Sequence, residues 1–119
     1  MKSLRKEEKQ KFLLDYTDPI NIVEAVLYAA RTGDIEVMTN LCDPLLMNDE
    51  TTENICLIEL ENHVIQRFRN RFEKAVIVGD VSYEYNFARV NLRGIDDEDE
   101  MRTFTLVKRY GNWFLFSFQ

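Results

Sequence analysis

MRTFTLVKRYGNWFLFSF, residues 101–118, is the stretch that decides the fold. It contains two strand-length segments rich in aromatic and β-branched residues. Between them stand Gly111 and Asn112, a residue pair that tolerates positive φ. This pattern is typical of a β-hairpin.

The second strand of this hairpin has no polar face. Because side chains alternate along a strand, one face carries Trp113 and Leu115, and the other carries Phe114, Phe116 and Phe118. We expect helices to cover the first face. A second subunit, a ligand or a tail must cover the phenylalanines.

The composition predicts one soluble domain. The chain has 119 residues, 45% of them hydrophobic and 30% charged, with a net charge of −6. The negative charge disfavours nucleic-acid binding, which needs a basic surface. No run approaches the roughly 20 apolar residues of a membrane-spanning helix. The sequence as given therefore predicts a cytoplasmic protein, or an exported one if Met1 follows a removed signal peptide.

Cys42 and Cys56 lie fourteen residues apart and match no zinc-site or redox spacing. We expect two reduced, partly buried thiols that pack as small apolar side chains. A disulfide is the alternative if the chain is exported.

The helices are predicted in the first half of the chain. Residues 1–16 form a charged lead, either a tail or a marginal helix, and residues 17–119 form the domain. Asp18 and Pro19 begin a first helix with one apolar face. Gly33 then ends it, and Asp34 begins a short second helix.

A long third helix is predicted from Thr51 or Thr52 to about Phe72. Its apolar face comprises Leu57, Ile58, Val64, Ile65, Phe68 and Phe72. Glu61 falls in the middle of that face. It is then either the polar group of an apolar pocket or a side chain that reaches solvent or an arginine at the rim.

Strand patterns begin at Ala75 and continue to the closing hairpin. The acidic run at 96–100 is predicted to be a solvated turn, since it lacks the spacing and glycine of a calcium loop. Helices first and strands second indicate an α+β fold with helices on one face of an antiparallel sheet.

The chain resembles the nuclear transport factor 2-like superfamily. The resemblance covers residues 18–118 and depends on the order of a capped first helix, Gly33 with Asp34, Asp43 with Pro44, a long helix, and a sheet ending in LVKRYGNWFLF. It implies a strongly curved sheet wrapped around the long helix as a cone, with a pocket between them. Dimerisation through the sheet, with Phe114, Phe116 and Phe118 at the interface, is also expected.

The isomerase branch of that superfamily can be compared by position. Its oxyanion-donor tyrosine corresponds here to Val26, and its carboxylate base would fall near Asp49 or Glu50. Tyr28 lies opposite the apolar stripe and is predicted to be a surface or interface residue. The oxyanion donor of this branch is therefore missing.

The sequence thus predicts a non-catalytic, homodimeric module that binds a small apolar ligand or a protein partner. We expect no cofactor and no metal. His63 is the only histidine, and the sequence offers no set of metal-ligating residues around it. The alternative is an isomerase or lyase with Glu61 as general acid or base and Tyr83 or Tyr85 as its hydrogen-bonding partner. The residues expected to line the pocket are Glu61, Ile65, Phe68, Tyr83 and Trp113.

Overall fold

A computed structural model describes residues 14–57 and 61–118. Most of the predicted N-terminal lead, residues 1–13, lies outside the described residues. The three α-helices are α1 (Pro19–Thr32), α2 (Glu50–Cys56) and α3 (Asn62–Phe72). Two 3₁₀ helices span Ile35–Met38 and Ile95–Asp97, and the strands are β1 (Val76–Glu84), β2 (Phe87–Arg93), β3 (Arg102–Arg109) and β4 (Asn112–Phe118). The predicted α+β class is confirmed.

Helix α1 begins and ends at the capping residues predicted from the sequence. The Asp18 carboxylate accepts a hydrogen bond from the Ile20 N–H at 3.0 Å, and Pro19 occupies the first turn. At the other end Gly33 adopts φ 80°, and its N–H donates to the Ala29 carbonyl at 2.8 Å. The apolar stripe is buried against the sheet and α3 and includes Ile22, Val23, Val26, Leu27 and Ala30.

The prediction of one long third helix is wrong. Helix α2 ends at Cys56, and α3 starts only at Asn62, after Glu61 in extended conformation. The two helices pack on different partners, since α2 lies on β4 and α3 lies on α1. They are therefore separate elements with different packing partners, although the apolar pattern of the sequence continues from one to the other.

The four strands form an antiparallel meander in the order β1-β2-β3-β4, with helices on one face. The closing hairpin is confirmed, but its turn lies one residue earlier than predicted. Tyr110 and Gly111 take the positive φ values, 54° and 83°, and Asn112 already pairs with Arg109.

A β-bulge in β4 corrects the predicted faces of that strand. Leu115 lies opposite Leu106, yet Ser117 lies opposite Thr105, so Phe116 is an extra residue. Trp113 and Leu115 face the helices as predicted. The extra residue also returns Phe118 to the helix side, where it is 5% exposed and packs 4.8 Å from the Phe104 ring. Its predicted position on the outer face is wrong.

Two segments of the first half of the chain cover the free edge of β4. The Leu115 N–H donates to the Leu41 carbonyl at 2.7 Å, and the Leu115 carbonyl accepts from the Asp43 N–H at 3.1 Å. Nearer the turn, the Trp113 N–H donates to the Tyr16 carbonyl at 2.7 Å. The side-chain amide of Asn48 also donates to the Leu115 carbonyl at 2.7 Å. These bonds satisfy backbone groups that an edge strand would otherwise leave open.

A disulfide joins Cys42 to Cys56, with their Cα atoms 6.0 Å apart. The expectation of two reduced thiols is therefore wrong. The bond fastens the last residue of α2 to the segment that lies along β4, and so it fixes α2 relative to the sheet. Within residues 14–57 and 61–118, no helix has the length and apolar character needed to cross a membrane.

Candidate functional site

Aromatic side chains fill the space where the sequence predicts a pocket between the long helix and the sheet. The Phe72 ring lies 6.2 Å from Phe104 and 5.9 Å from Phe118, and Phe68 lies 5.4 Å from Phe72. All four side chains belong to the main core. The predicted pocket residue Phe68 is therefore mainly a core residue with one edge at the surface.

Glu61 does not lie on a buried apolar face. It stands at the start of α3, where its side chain is 63% exposed and its Oε2 lies 3.5 Å from Nε2 of His63. Its predicted position is wrong because the helix begins after this residue, and the rotation counted along one continuous helix does not apply. Glu61 therefore reaches solvent, as the second of the two sequence-based alternatives for this residue stated.

The other predicted pocket residues lie in separate places. Tyr83 and Tyr85 line a depression at the start of α1, next to Trp113. Ile65 lines a different depression beside Gly33. The structure therefore does not bring Glu61, Ile65 and the tyrosines together, and the acid–base pair suggested by the sequence is not assembled.

A groove of about 460 Å³ lies between α2 and α3. We call it the α2–α3 groove. It is lined by Thr51, Asn54, Ile55, Val64, Arg67, Phe68, Arg71, Phe72 and Asp96. Its apolar part comes from Ile55 and the two phenylalanines, which are buried residues of the core. The groove lies between two separate helices, and the apolar pattern of the sequence, which predicts one continuous helix, does not predict it.

Two arginines stand over the apolar part of the groove, one helical turn apart. Arg71 is partly neutralised, because its Nε lies 3.3 Å from Oδ2 of Asp96. Its guanidinium also lies 5.2 Å from the centre of the Phe72 ring and 5.0 Å from that of Phe118. Arg67 makes neither an ion pair nor a hydrogen bond with any residue that the structure describes. Its positive charge is thus available to a ligand.

The outer face of the sheet carries a smaller aromatic cluster. Phe116 packs edge-on against Phe87 with ring centres 5.2 Å apart, and Phe114 lies 5.4 Å from Tyr16. Val107 is fully buried between the strands that carry them. Phe114 and Phe116 are partly buried and lie on the face where the sequence predicts a dimer interface.

Sequence reasoning missed the role of Arg67 and Arg71 in forming a site. Their interleaving with Phe68 and Phe72 resembles an RNA-stacking pattern, but the phenylalanines point into the core, as helical geometry predicts. The arginines remain at the rim with a four-residue spacing. This four-residue spacing, which places both arginines on one side of the helix, was the sequence feature that could have indicated the site.

Comparison with protein-family models and with curated proteins finds no match to this chain.

Proposed function

We propose that this protein is a non-catalytic binding module that takes a small ligand with an apolar body and an acidic group in the α2–α3 groove. The observation that carries the proposal is Arg67, a cation beside an apolar surface that has no ion pair with any residue in 14–57 or 61–118. A ligand carboxylate would pair with its guanidinium, and an alkyl or aromatic body would cover Ile55 and Phe68. Arg71 would contribute less, because Asp96 already neutralises part of its charge.

The groove fits this chemistry better than it fits catalysis. It contains two cations, an apolar surface and amide and hydroxyl groups from Asn54 and Thr51. Its carboxylate, Asp96, is held in an ion pair with Arg71. Such a lining orients a ligand and holds it, which is the usual construction of a binding site.

Membership of the nuclear transport factor 2-like superfamily is part of the same proposal. It is supported by the order of helices before strands, the Gly33 turn after α1 and the tight turn between β3 and β4. We also propose that the sheet forms the cone typical of this superfamily and that the protein dimerises through the sheet. Phe114 and Phe116, which are only partly buried on the outer face, support the dimer.

We also propose that the protein works in an oxidising compartment outside the cytoplasm. The Cys42–Cys56 disulfide supports this, because such bonds persist in exported proteins and are rare where glutathione keeps thiols reduced.

The groove proposal is tested by titrating the protein with decanoate and following backbone amide shifts by NMR. We expect saturable shifts confined to α2 and α3, and an affinity about tenfold lower in Arg67→Gln, which keeps the side-chain bulk but removes the charge. Arg89→Gln, on the outer face of the sheet, is the matched control and should bind as wild type does.

Decan-1-ol separates the two parts of the interaction. Because it lacks the carboxylate, it should bind more weakly than decanoate and should be insensitive to Arg67→Gln. Equal decanoate affinity in wild type and Arg67→Gln would contradict the proposal.

A further inference from the structure

Two tyrosines occupy unusual positions at the same end of the sheet. The turn between β1 and β2 consists of Tyr85 and Asn86, and the turn between β3 and β4 consists of Tyr110 and Gly111. Each tyrosine is the first residue of its turn and has positive φ, 56° and 54°. The side chains are 97% and 86% exposed.

Stability does not account for either tyrosine. Two-residue hairpin turns with positive φ favour asparagine, aspartate or glycine, and a bulky residue is strained there. A nearly fully exposed ring also recovers very little of that cost by packing. Strained residues that persist without a packing role are a feature of binding and catalytic sites.

A depression lies beside the first of these turns. It has a volume of about 630 Å³ and is bordered by Tyr83, Tyr85, Asn86, Lys108 and the carboxylates of Asp15 and Asp18. Tyr83 is 62% exposed, and its ring centre lies 5.9 Å from that of Trp113. Two accessible aromatic rings thus border a site that is otherwise polar.

The polar groups of the depression retain free hydrogen-bonding capacity. Asp15 accepts from the Thr17 N–H and hydroxyl, and Asp18 accepts from the Ile20 N–H, in every case through Oδ1. Among the described residues, no hydrogen bond reaches either Oδ2. The side-chain amide of Asn86 adds both a donor and an acceptor.

The charges present narrow the class of ligand. Asp15 and Asp18, on a chain of net charge −6, disfavour an anionic ligand. The Lys108 Nζ already stands 5.9 Å from the Trp113 ring centre, where a ligand cation would otherwise bind. A neutral ligand with an apolar ring face and many hydroxyl groups fits what remains.

We propose that the depression beside the Tyr85 turn is a binding site for a neutral carbohydrate chain. A pyranose ring stacks its C–H face on the exposed tyrosines, and its hydroxyl groups donate to Asp15 and Asp18 and exchange hydrogen bonds with Asn86. Tyr110, at the neighbouring turn, extends the aromatic surface for a longer chain. The site is separate from the α2–α3 groove and does not depend on the function proposed there.

The test uses the full 119-residue chain in native gel electrophoresis, with a neutral glucan, a neutral mannan or dextran sulfate cast into the gel. We expect at least one neutral polysaccharide to retard the protein and dextran sulfate to leave it unretarded. Trp113 is the only tryptophan and contacts Tyr83, so its fluorescence should change on binding. Retardation by dextran sulfate alone, or by none of the three, overturns the proposal.

Tyr85→Asn is the decisive variant, because it removes the ring and gives the turn a residue that suits it. We expect the affinity for the retarding polysaccharide to fall about tenfold. We expect Tm to rise by about 3 to 5 °C, since the strain is relieved. Unchanged binding in Tyr85→Asn overturns the proposal, and so does a fall in Tm, which would mean that the ring stabilises the fold.

Tyr110→Asn is the matched control for the strain argument. It should raise Tm by a similar amount and weaken the binding of a long polysaccharide more than that of a short oligosaccharide from the same polymer. Equal loss for both lengths would contradict the placement of Tyr110 at the end of the site.

Discussion

Asp43 is the most deeply buried charged group among the residues that the structure describes, with 2% of its surface exposed. Its two carboxylate oxygens accept from Nε and one terminal nitrogen of Arg109 at 3.1 and 3.0 Å, and Oδ1 also accepts from the Leu45 N–H. Burial alone would raise the pKa of Asp43, but these hydrogen bonds outweigh it and lower the pKa below its usual value of 3.8. The folded state therefore favours the charged form.

Asp43→Asn should lower the free energy of unfolding at pH 7 by about 2 to 3 kcal/mol, because it removes a charge-assisted pair and leaves Arg109 unneutralised. Since the folded pKa is the lower one, the contribution of Asp43 is complete above the unfolded pKa of 3.8 and disappears as pH falls through the folded pKa. Urea titrations from pH 7 down to pH 2.5 measure this. The difference between wild type and Asp43→Asn should shrink below about pH 4.

The control is Asp99→Asn, which changes a carboxylate that is almost fully exposed. It should cost less than about 1 kcal/mol. A difference between wild type and Asp43→Asn that stays constant from pH 7 to pH 2.5 would contradict the role given to the buried carboxylate.

Helix α2 is short, and the Cys42–Cys56 disulfide fixes its last residue. We expect the double variant Cys42→Ser, Cys56→Ser to lose about 3 kcal/mol, as the chain-entropy estimate gives for a loop of this length. Amide hydrogen exchange should rise first in α2, and decanoate affinity should fall with it, because α2 forms one wall of the groove. Hydrogen exchange and decanoate titration, with and without reductant, check this.

The double serine variant also provides its own control, because its stability should not respond to dithiothreitol. Wild type should approach the stability of the variant when it is reduced. If reduction leaves α2 as protected as before, the helix does not depend on the disulfide.

Local signals predict α1 and the closing hairpin, because their determinants are near neighbours in the chain. The two ends of α1 are determined by Asp18, Pro19 and Gly33. The alternation of side chains along β4 correctly predicts that Trp113 faces the helices. The helix break before Asn62 could not be predicted in this way, since it depends on partners far along the chain. The inner position of Phe118 was missed for a related reason, because a single extra residue in β4 inverts every later side chain.

At the scale of the whole molecule, the outer face of the sheet is where we expect a second copy to bind. Phe116→Glu should produce monomers of lower stability with nearly unchanged helical content, because the side chain is only partly buried and lies on the face of the sheet away from the helices. Sedimentation velocity at high micromolar concentration measures the change. Lys108→Glu, on the other face of the sheet, should leave the dimer intact, and a monomeric wild type would rule out this interface.

The residues predicted to line one pocket lie in separate places, because Glu61 precedes α3 and does not share a helical face with Ile65 and Phe68. Phe68 lines the α2–α3 groove, Trp113 lines the depression beside the Tyr85 turn, and Glu61 lines neither. Burial was predicted correctly within α1, but not for Leu57, which is 65% exposed, or for Phe118, which is buried. Which surfaces become concave depends on how the helices pack together.

The covering of β4 by residues 41–43 and Tyr16 leaves β1 as the unpaired edge of the described sheet. That edge is a poor template for another strand. The pairing of β1 with β2 is interrupted between Val78 and Ser82, where Gly79 has φ 73° and Asp80 adds an exposed charge. A bulge and a charge at an open edge are the features by which natural sheets resist joining into fibrils. The open edge of the sheet thus resists the addition of another strand, even though the last strand of the sheet is among the most aromatic parts of the chain.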